Sequence, residues 1–343
     1  MKKNGGFSTG MRQKHIRDTV ADLDLGSFAQ RVEKAYSAIR KEIIRTPLEP
    51  SPPLSRASGA EIYVKWECLQ TTGSFKLRGA TNKILGLSAS QRRRGVVSAS
   101  TGNHGLAIHH AAKRHDVPLT LFLPEHAAPE KIARLEAAGA DIAFFGESCD
   151  LAEIHARKHA LSSGRIFVSP YNDLDIILGQ GTIGLEVFED FPGVEDIVVP
   201  IGGGGLIAGV GGYLKGRNPA IRVVGVEPVN SAFMKASLEA GRLIGIEEKK
   251  TIADAVAGGI EPGSLTFPLC RRFVDIILTV DEDEIKKSMT LIHHRHGRSI
   301  EGAGALSLAA VMTYPEMFRG RGVVLVVGGM NVSEAFFRKA TGR

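Results

Sequence analysis

Cysteine is scarce in this chain: Cys68, Cys149 and Cys270 are the three among 343 residues, far apart and with no CxxC pair. So sparse and odd a set excludes a disulfide framework and fits thiols kept reduced in a cytoplasmic protein. No apolar stretch approaches the roughly 20 residues that cross a bilayer, so no membrane partner is expected. Residues 1–25, MKKNGGFSTGMRQKHIRDTVADLDL, carry charge but no apolar signal segment, and are expected to form a flexible leader. Aromatic residues make up only 6% of the chain. None interleave with its basic clusters, Arg92-Arg93-Arg94 and His293-His294-Arg295-His296-Gly297-Arg298. The net charge of +6 therefore reads as solvated faces or a subunit contact, not a nucleic-acid surface. The histidine run lacks companion ligands at zinc spacing.

What is plentiful is glycine, 40 residues or roughly 12% against about 7% on average. It follows no collagen period and comes in clusters. With 43% hydrophobic and 23% charged residues the chain is globular, and long enough for two domains.

Helical periodicity begins over Phe28–Ile44, and Pro47, Pro52 and Pro53 then break it. AEIYVKWE reads as a strand. From Gly95, short apolar runs alternate with amphipathic segments: GVVSAS, HGLAIHHAAKRH, PLTLFLP, PEKIARLEAAGA, DIAFFG, CDLAEIHARKHALSS and RIFVSP. This is the signature of βαβ units on a parallel sheet. The pattern resumes with a helix in GTIGLEVFEDF, then EDIVVPIG, GGGLIAGVGGYLKG, IRVVGVEP, VDIILTVD and GVVLVVGG. The fold expected is α/β, with two open twisted mostly parallel sheets flanked by helices. Residues 95–171 form the small domain, and 26–94 with 172–343 the large one.

Three strand-to-helix loops carry the chemistry. In Gly202-Gly203-Gly204-Gly205-Leu206, side chains are stripped from a helix N-terminus, which suits a phosphate. Gly203, Gly205 and Ala208 also satisfy G-x-G-x-x-A, with Glu227 placed where a ribose-binding acid belongs, so an NAD(P)-binding protein stays open from this loop alone. In Ser74-Phe75-Lys76-Leu77-Arg78, a lysine in the first helical turn meets the positive end of the macrodipole, which favours the neutral amine that Schiff-base chemistry needs. In Ser100-Thr101-Gly102-Asn103-His104-Gly105, hydroxyls, an amide and free N–H groups suit a carboxylate, and Asn103 can also bond a phenolate oxygen. An amine, a carboxylate cradle and a phosphate cradle are together the set that pyridoxal 5′-phosphate (PLP) requires.

At these residues the chain resembles the fold-type II PLP enzymes, in the branch of threonine/serine dehydratases and serine racemases. The resemblance runs from about Ile39 to Val332 through GSFKLRGA, STGNHG, PEHAAPEKIARLEAAGA, GGGGLIAG, VGVEP and IEGAGA, in that order. It implies a cofactor held between the domains, with Lys76 as the Schiff-base lysine and Phe75 beside the ring. Gly202, Gly203, Gly204, Gly205 and Leu206 are then the phosphate cup, and Asn103 the partner of the phenolate oxygen. Ser100, Thr101, Gly102, Asn103 and His104 line the substrate carboxylate site, and Glu301 lies near cofactor and substrate. The implied reaction is β-elimination of water from a small β-hydroxy-α-amino acid such as threonine or serine, yielding a 2-oxo acid and ammonia. A cytoplasmic homodimer is the family expectation.

Some positions depart from the family pattern. Relatives place a hydroxyl residue opposite the pyridine nitrogen, where this chain has Gly328. The racemase-like metal site needs an aspartate six residues after Glu227, where this chain has Phe233, so no metal is expected. Thr101 stands where racemases carry a serine acid/base, which keeps an amino-acid racemase as the alternative. STGNHG with EGAGA is similar also to the dehydratases linked to hydroxyectoine use. The chain ends twelve residues after Asn331, where feedback-controlled dehydratases carry a further domain, so a catabolic enzyme is expected.

Overall fold

The computed structural model describes residues 24–342, so the expected leader up to residue 23 lies outside the described residues. Asp24 caps the first helix among the described residues, α1 (Leu25–Ile39), its carboxylate accepting from Ser27 N at 3.0 Å. That cap starts the helix ahead of Phe28, and the helix ends short of Ile44. The proline stretch, expected as a break, holds β1 (Leu48–Pro50) and α2 (Pro52–Ser58). Pro52 and Pro53 sit in the first turn of α2, where a missing N–H loses no helical bond. Next come β2 (Glu61–Lys65), α3 (Lys76–Leu85) and α4 (Ala89–Arg94).

The alternation that follows matches the periodicity: β3 (Val96–Ala99), α5 (Asn103–Arg114), β4 (Leu119–Leu123), α6 (Pro129–Ala138), β5 (Ile142–Phe144), α7 (Cys149–Ser163) and β6 (Ile166–Phe167). Helix α8 (Leu174–Asp190) begins well before Gly181 because Asp173 caps it, accepting from Asp175 N and Ile176 N. After it lie β7 (Asp196–Pro200), α9 (Gly205–Arg217), β8 (Arg222–Pro228), α10 (Phe233–Glu239) and α11 (Thr266–Phe273). The remaining elements are β9 (Ile276–Val280), α12 (Glu282–His296), α13 (Gly302–Thr313), β10 (Gly322–Val326) and α14 (Glu334–Thr341).

The strands form two sheets, ordered β1-β2-β10-β7-β8-β9 and β5-β4-β3-β6. Only the β1–β2 pair is antiparallel among them. Both faces of the larger sheet are covered. Ile197 and Val199 point into a core with α1, α8 and α9, while Val198, between them, points into one with α12 and α13. The smaller sheet has its own core, and Leu77, Ala80 and Ile84 of α3 are part of it.

Some of the glycine serves helix packing, beside the clusters read as ligand cradles. A Cβ at Gly209 of α9 would lie 2.2 Å from Ile177 O of α8, and one at Gly179 would lie 2.6 Å from the Cα of Gly79. Helices α3, α8 and α9 approach this closely only because no side chains separate them.

Beneath α3 lies a buried charge network. Arg78 donates to Glu67 (Nε to Oε2, 2.8 Å) and to Glu186 (Nη2 to Oε2, 2.7 Å), and Lys65 Nζ reaches Glu186 at 2.5 Å. All four side chains are fully buried. Thr46 adds its hydroxyl to Glu67.

Candidate active site

The ends of β3 and β7, the start of α3 and the turn before α13 enclose a cavity of about 310 Å³ between the two sheets. Every residue nominated from the sequence lines it: Phe75, Lys76, Ser100 to His104, Gly202 to Leu206, Glu301 and Gly328. Parallel strands leave their carboxyl ends free for such a site.

Lys76 is the first residue of α3, and its Nζ donates to Pro170 O at 2.8 Å and lies 5.1 Å from the centroid of the Phe75 ring. Burial pushes its amine down to about 8, while the charge of Glu301 acts in the opposite sense. The neutral amine is thus accessible near physiological pH, and its cause is the cavity wall it sits in.

Asn103 opens α5. Its Nδ2 donates to both carboxylate oxygens of Glu301, at 2.9 and 3.1 Å. Burial nonetheless pushes the Glu301 carboxyl up to about 7. His104 is held neutral: burial first, then the Lys76 charge, bring it down to about 3. Its Nε2 meets Ser98 Oγ at 3.1 Å, and its Nδ1 is buried with no protein partner. A substrate carboxylate would therefore find dipoles and N–H groups from this loop, not an imidazolium.

The glycine loop is a cradle that side chains would fill. A Cβ at Gly203 would fall inside the Tyr171 ring, 2.3 Å from its Cγ, and one at Gly202 would meet Val256 Cα at 2.9 Å. Gly204 adopts φ +85°, a left-handed conformation that favours glycine, and so turns the chain into α9 at Gly205. The first N–H groups of α9 have no partner within the helix and face an anion. With Lys76 in the same cavity, these residues fit PLP: an amine for its aldehyde and a dipole-lined cup for its phosphate. At Gly328 a Cβ would approach Phe75 Cδ1 to 3.2 Å, so the ring of Phe75 crowds the place where relatives carry a hydroxyl.

Glu227 ends β8 with both oxygens engaged, accepting from Met234 N at 2.9 Å and Lys235 N at 2.8 Å at the start of α10. It is a helix cap, turned away from ribose binding, and this removes the acidic partner on which the dinucleotide reading rested. Phe233 beside it offers no oxygen to a cation. Exhaustive dialysis against EDTA is therefore expected to leave turnover and melting temperature unchanged; a loss restored by Mg²⁺ would contradict this.

Several lining residues carry no signal readable in the sequence: Tyr171 under the glycine loop, the segment 254–259, Lys131 and Arg134 of α6, and Asn331 beyond β10. Lys131 reaches across the mouth of the cavity to Asp254 at 2.7 Å. These contacts join segments from about 30 to more than 200 residues apart, and no local pattern announces them.

A family model for pyridoxal-phosphate dependent enzymes matches residues 39–329. The chain is 42% identical over 301 residues to an L-threonine ammonia-lyase of Thermotoga maritima, a match covering 88% of this chain and 75% of that one. It is 36% identical over 306 residues to a serine racemase of Arabidopsis thaliana, covering 88% of this chain and 92% of that one. Its fold is similar to the processed form of threonine deaminase isoform 2 from Solanum lycopersicum, with a TM-score of 0.88 at 30% identity over 93% of this chain and 94% of that one.

Proposed function

The chain belongs to the pyridoxal-phosphate dependent enzyme family, and we propose that it removes water from a small β-hydroxy-α-amino acid of the threonine or serine type, releasing a 2-oxo acid and ammonia. One observation carries the reading: a lysine amine eased toward its neutral form shares a single cavity with a glycine phosphate cradle and a hydroxyl-rich loop. The similarity to an L-threonine ammonia-lyase supports the same reaction class.

Bound PLP supplies an aldehyde for the substrate amine and an electron sink for the charge that develops at Cα. Gly202 to Gly205 and the N-terminus of α9 would hold its phosphate, and Phe75 would lie beside its ring. Asn103 would give a hydrogen bond to its phenolate oxygen. Ser100, Thr101 and Gly102 cradle the substrate carboxylate with hydroxyls and N–H groups. Lys76 anchors the cofactor at rest. Freed from that anchoring role, its Nζ would take the α-proton and return it to the departing β-hydroxyl, which leaves as water. The low Lys76 basicity suits both tasks, since an amine near its midpoint accepts and donates at similar pH. Placement in the cytoplasm as a homodimer forms part of the proposal; among the described residues no helix is long and apolar enough to cross a membrane.

The hydroxyl of Thr101, in the carboxylate loop, favours one second reading, racemisation of the same amino acids. Purified protein is expected to be yellow, and borohydride to bleach it while adding the cofactor mass to the peptide containing Lys76. A 2-oxo-acid assay over serine, threonine, 3-hydroxyaspartate and phenylserine, followed by chiral analysis, then separates the two activities. Inverted amino acid accumulating without 2-oxo acid would replace elimination by racemisation, and a colourless protein that takes up no PLP would end both.

A further inference from the structure

Asn331 lies outside the residues nominated from the sequence, yet it stands behind the cofactor site. Its Nδ2 donates to two acceptors, Thr72 O at 2.8 Å and Asn103 Oδ1 at 2.7 Å. Room for it comes from Gly73, which adopts φ +73° and whose absent Cβ would lie 2.7 Å from Asn331 Oδ1. The backbone on either side is pinned as well: Met330 N donates to Gly73 O at 3.0 Å, and Arg134 Nη1 donates to Asn331 O at 3.1 Å.

We propose that Asn331 is a positioning residue, which fixes the orientation of the Asn103 amide and thereby the hydrogen bonds that Glu301 receives beside the cofactor. The argument runs outward from the one partner with no ambiguity. A backbone carbonyl only accepts, so Thr72 O obliges Asn331 to present its NH₂ group. That NH₂ group in turn obliges Asn103 to present its oxygen. Asn103 then has its own NH₂ group left for Glu301, and donates it to both carboxylate oxygens. Rotating the Asn103 amide by half a turn would set oxygen against carboxylate at one end and N–H against N–H at the other. Two side-chain amides and one carbonyl therefore set the polarity of the group that faces the cofactor's phenolate oxygen.

The titratable groups facing Glu301 come from four elements. Lys76 belongs to α3, Lys131 to α6 and Asp254 to the turn at 254–256, while Cys68 lies in the turn after β2. The backbone N–H of Asn331 also favours the charged form of Glu301. None of these is altered by changing the Asn331 side chain. A neutral substitution thus acts on Glu301 through Asn103, whereas Asn331→Asp also adds a carboxylate that repels Glu301 directly; in the Asn103→Ala background only that direct part remains, and the shift in excess of it reads the positioning role.

This inference rests on PLP occupying the cavity, and the test separates the two. In Asn331→Asp the donor facing Asn103 becomes an acceptor. The Asn103 amide turns to donate to it, and presents oxygen to Glu301. Glu301 then keeps its proton to higher pH. The pH titration of the bound cofactor's visible band should contain a limb that disappears in Glu301→Gln. In Asn331→Asp that limb should move up by about one pH unit, and the cofactor should dissociate about tenfold more readily. Asn331→Ala, which removes the donor without reversing it, should move the limb less. In the Glu301→Gln background, Asn331→Asp should move no limb at all. A yellow parent protein with an unmoved limb in Asn331→Asp would overturn the positioning role, as would a shift equally large in the Asn103→Ala background or one that persists without Glu301. A parent protein that binds no PLP would instead overturn the proposed function.

Discussion

Replacing Lys76 with alanine should lower turnover by at least about 10³-fold, because one side chain then stops serving as both cofactor anchor and proton carrier. The loss should be far larger than any loss of cofactor. The glycine cradle and the start of α9 do not involve Lys76, so Lys76→Ala should still take up PLP, and borohydride should no longer fix it to the chain. Lys76→Arg should fail almost as completely. A guanidinium stays charged at any workable pH and cannot take the α-proton. The cavity treats an amine differently, since burial brings Lys76 down to about 8. Steady-state assay of 2-oxo acid, with mass spectrometry after borohydride, checks all three statements. Turnover of Lys76→Ala within tenfold of the parent would remove Lys76 from the chemistry.

The second large effect concerns stability. Glu186 accepts from Lys65 and from Arg78 at Nη1 and Nη2, and Arg78 also grips Glu67. Two cations and two anions balance in a site closed to water. Glu186→Ala leaves one positive charge uncompensated there, and should cost about 3–5 kcal/mol. The melting temperature in thermal unfolding reads the loss directly, and an unchanged value would mean that water reaches the cluster. The pH dependence has a definite sign. Burial raises the Glu186 carboxyl, but Arg78 and Lys65 together hold it below its usual 4.5. A depressed carboxyl stabilises the fold above its unfolded value, and that contribution is lost as pH falls below 4.5 through the folded value. The parent protein should therefore lose stability on acidification more steeply than Glu186→Gln, which has no such proton to bind.

These two predictions mark how far the sequence could be read. Lys76 was legible because its setting is local: a hydroxyl-glycine turn, a lysine, then an amphipathic helix. The glycine loop after β7 and the STGNHG loop after β3 were legible for the same reason, as were nearly all the parallel strands. The Glu186 cluster was not, since Lys65 and Glu186 meet across 121 residues of chain. Asn331 meets Asn103 across 228, and nothing near VGGMN indicates it. Helix α13 escaped because GAGALSLAAVMT is apolar all round and buried on every side, which leaves no polar stripe to give a period. Helix α12 did carry a readable start, the capping box of Asp281 and Glu284. Its histidine-rich end was read as a solvated face or subunit contact, not as the last turn of a helix. Glycine was counted correctly and explained too narrowly, since Gly79, Gly179 and Gly209 seat helices against one another.

Helix α3 has one more property, and it is mechanical. Its apolar face, Leu77, Ala80 and Ile84, is embedded under the four-stranded sheet. Just ahead of it, Phe75 N is hydrogen-bonded to Gly328 O at the end of β10. Lys76 thus sits at a joint between the two halves, while the phosphate cradle follows β7 of the six-stranded sheet. A cofactor bonded to the lysine and seated in the cradle spans that joint like a tether. Loading it should make the halves come apart as one unit, and borohydride should turn a releasable tether into a permanent one.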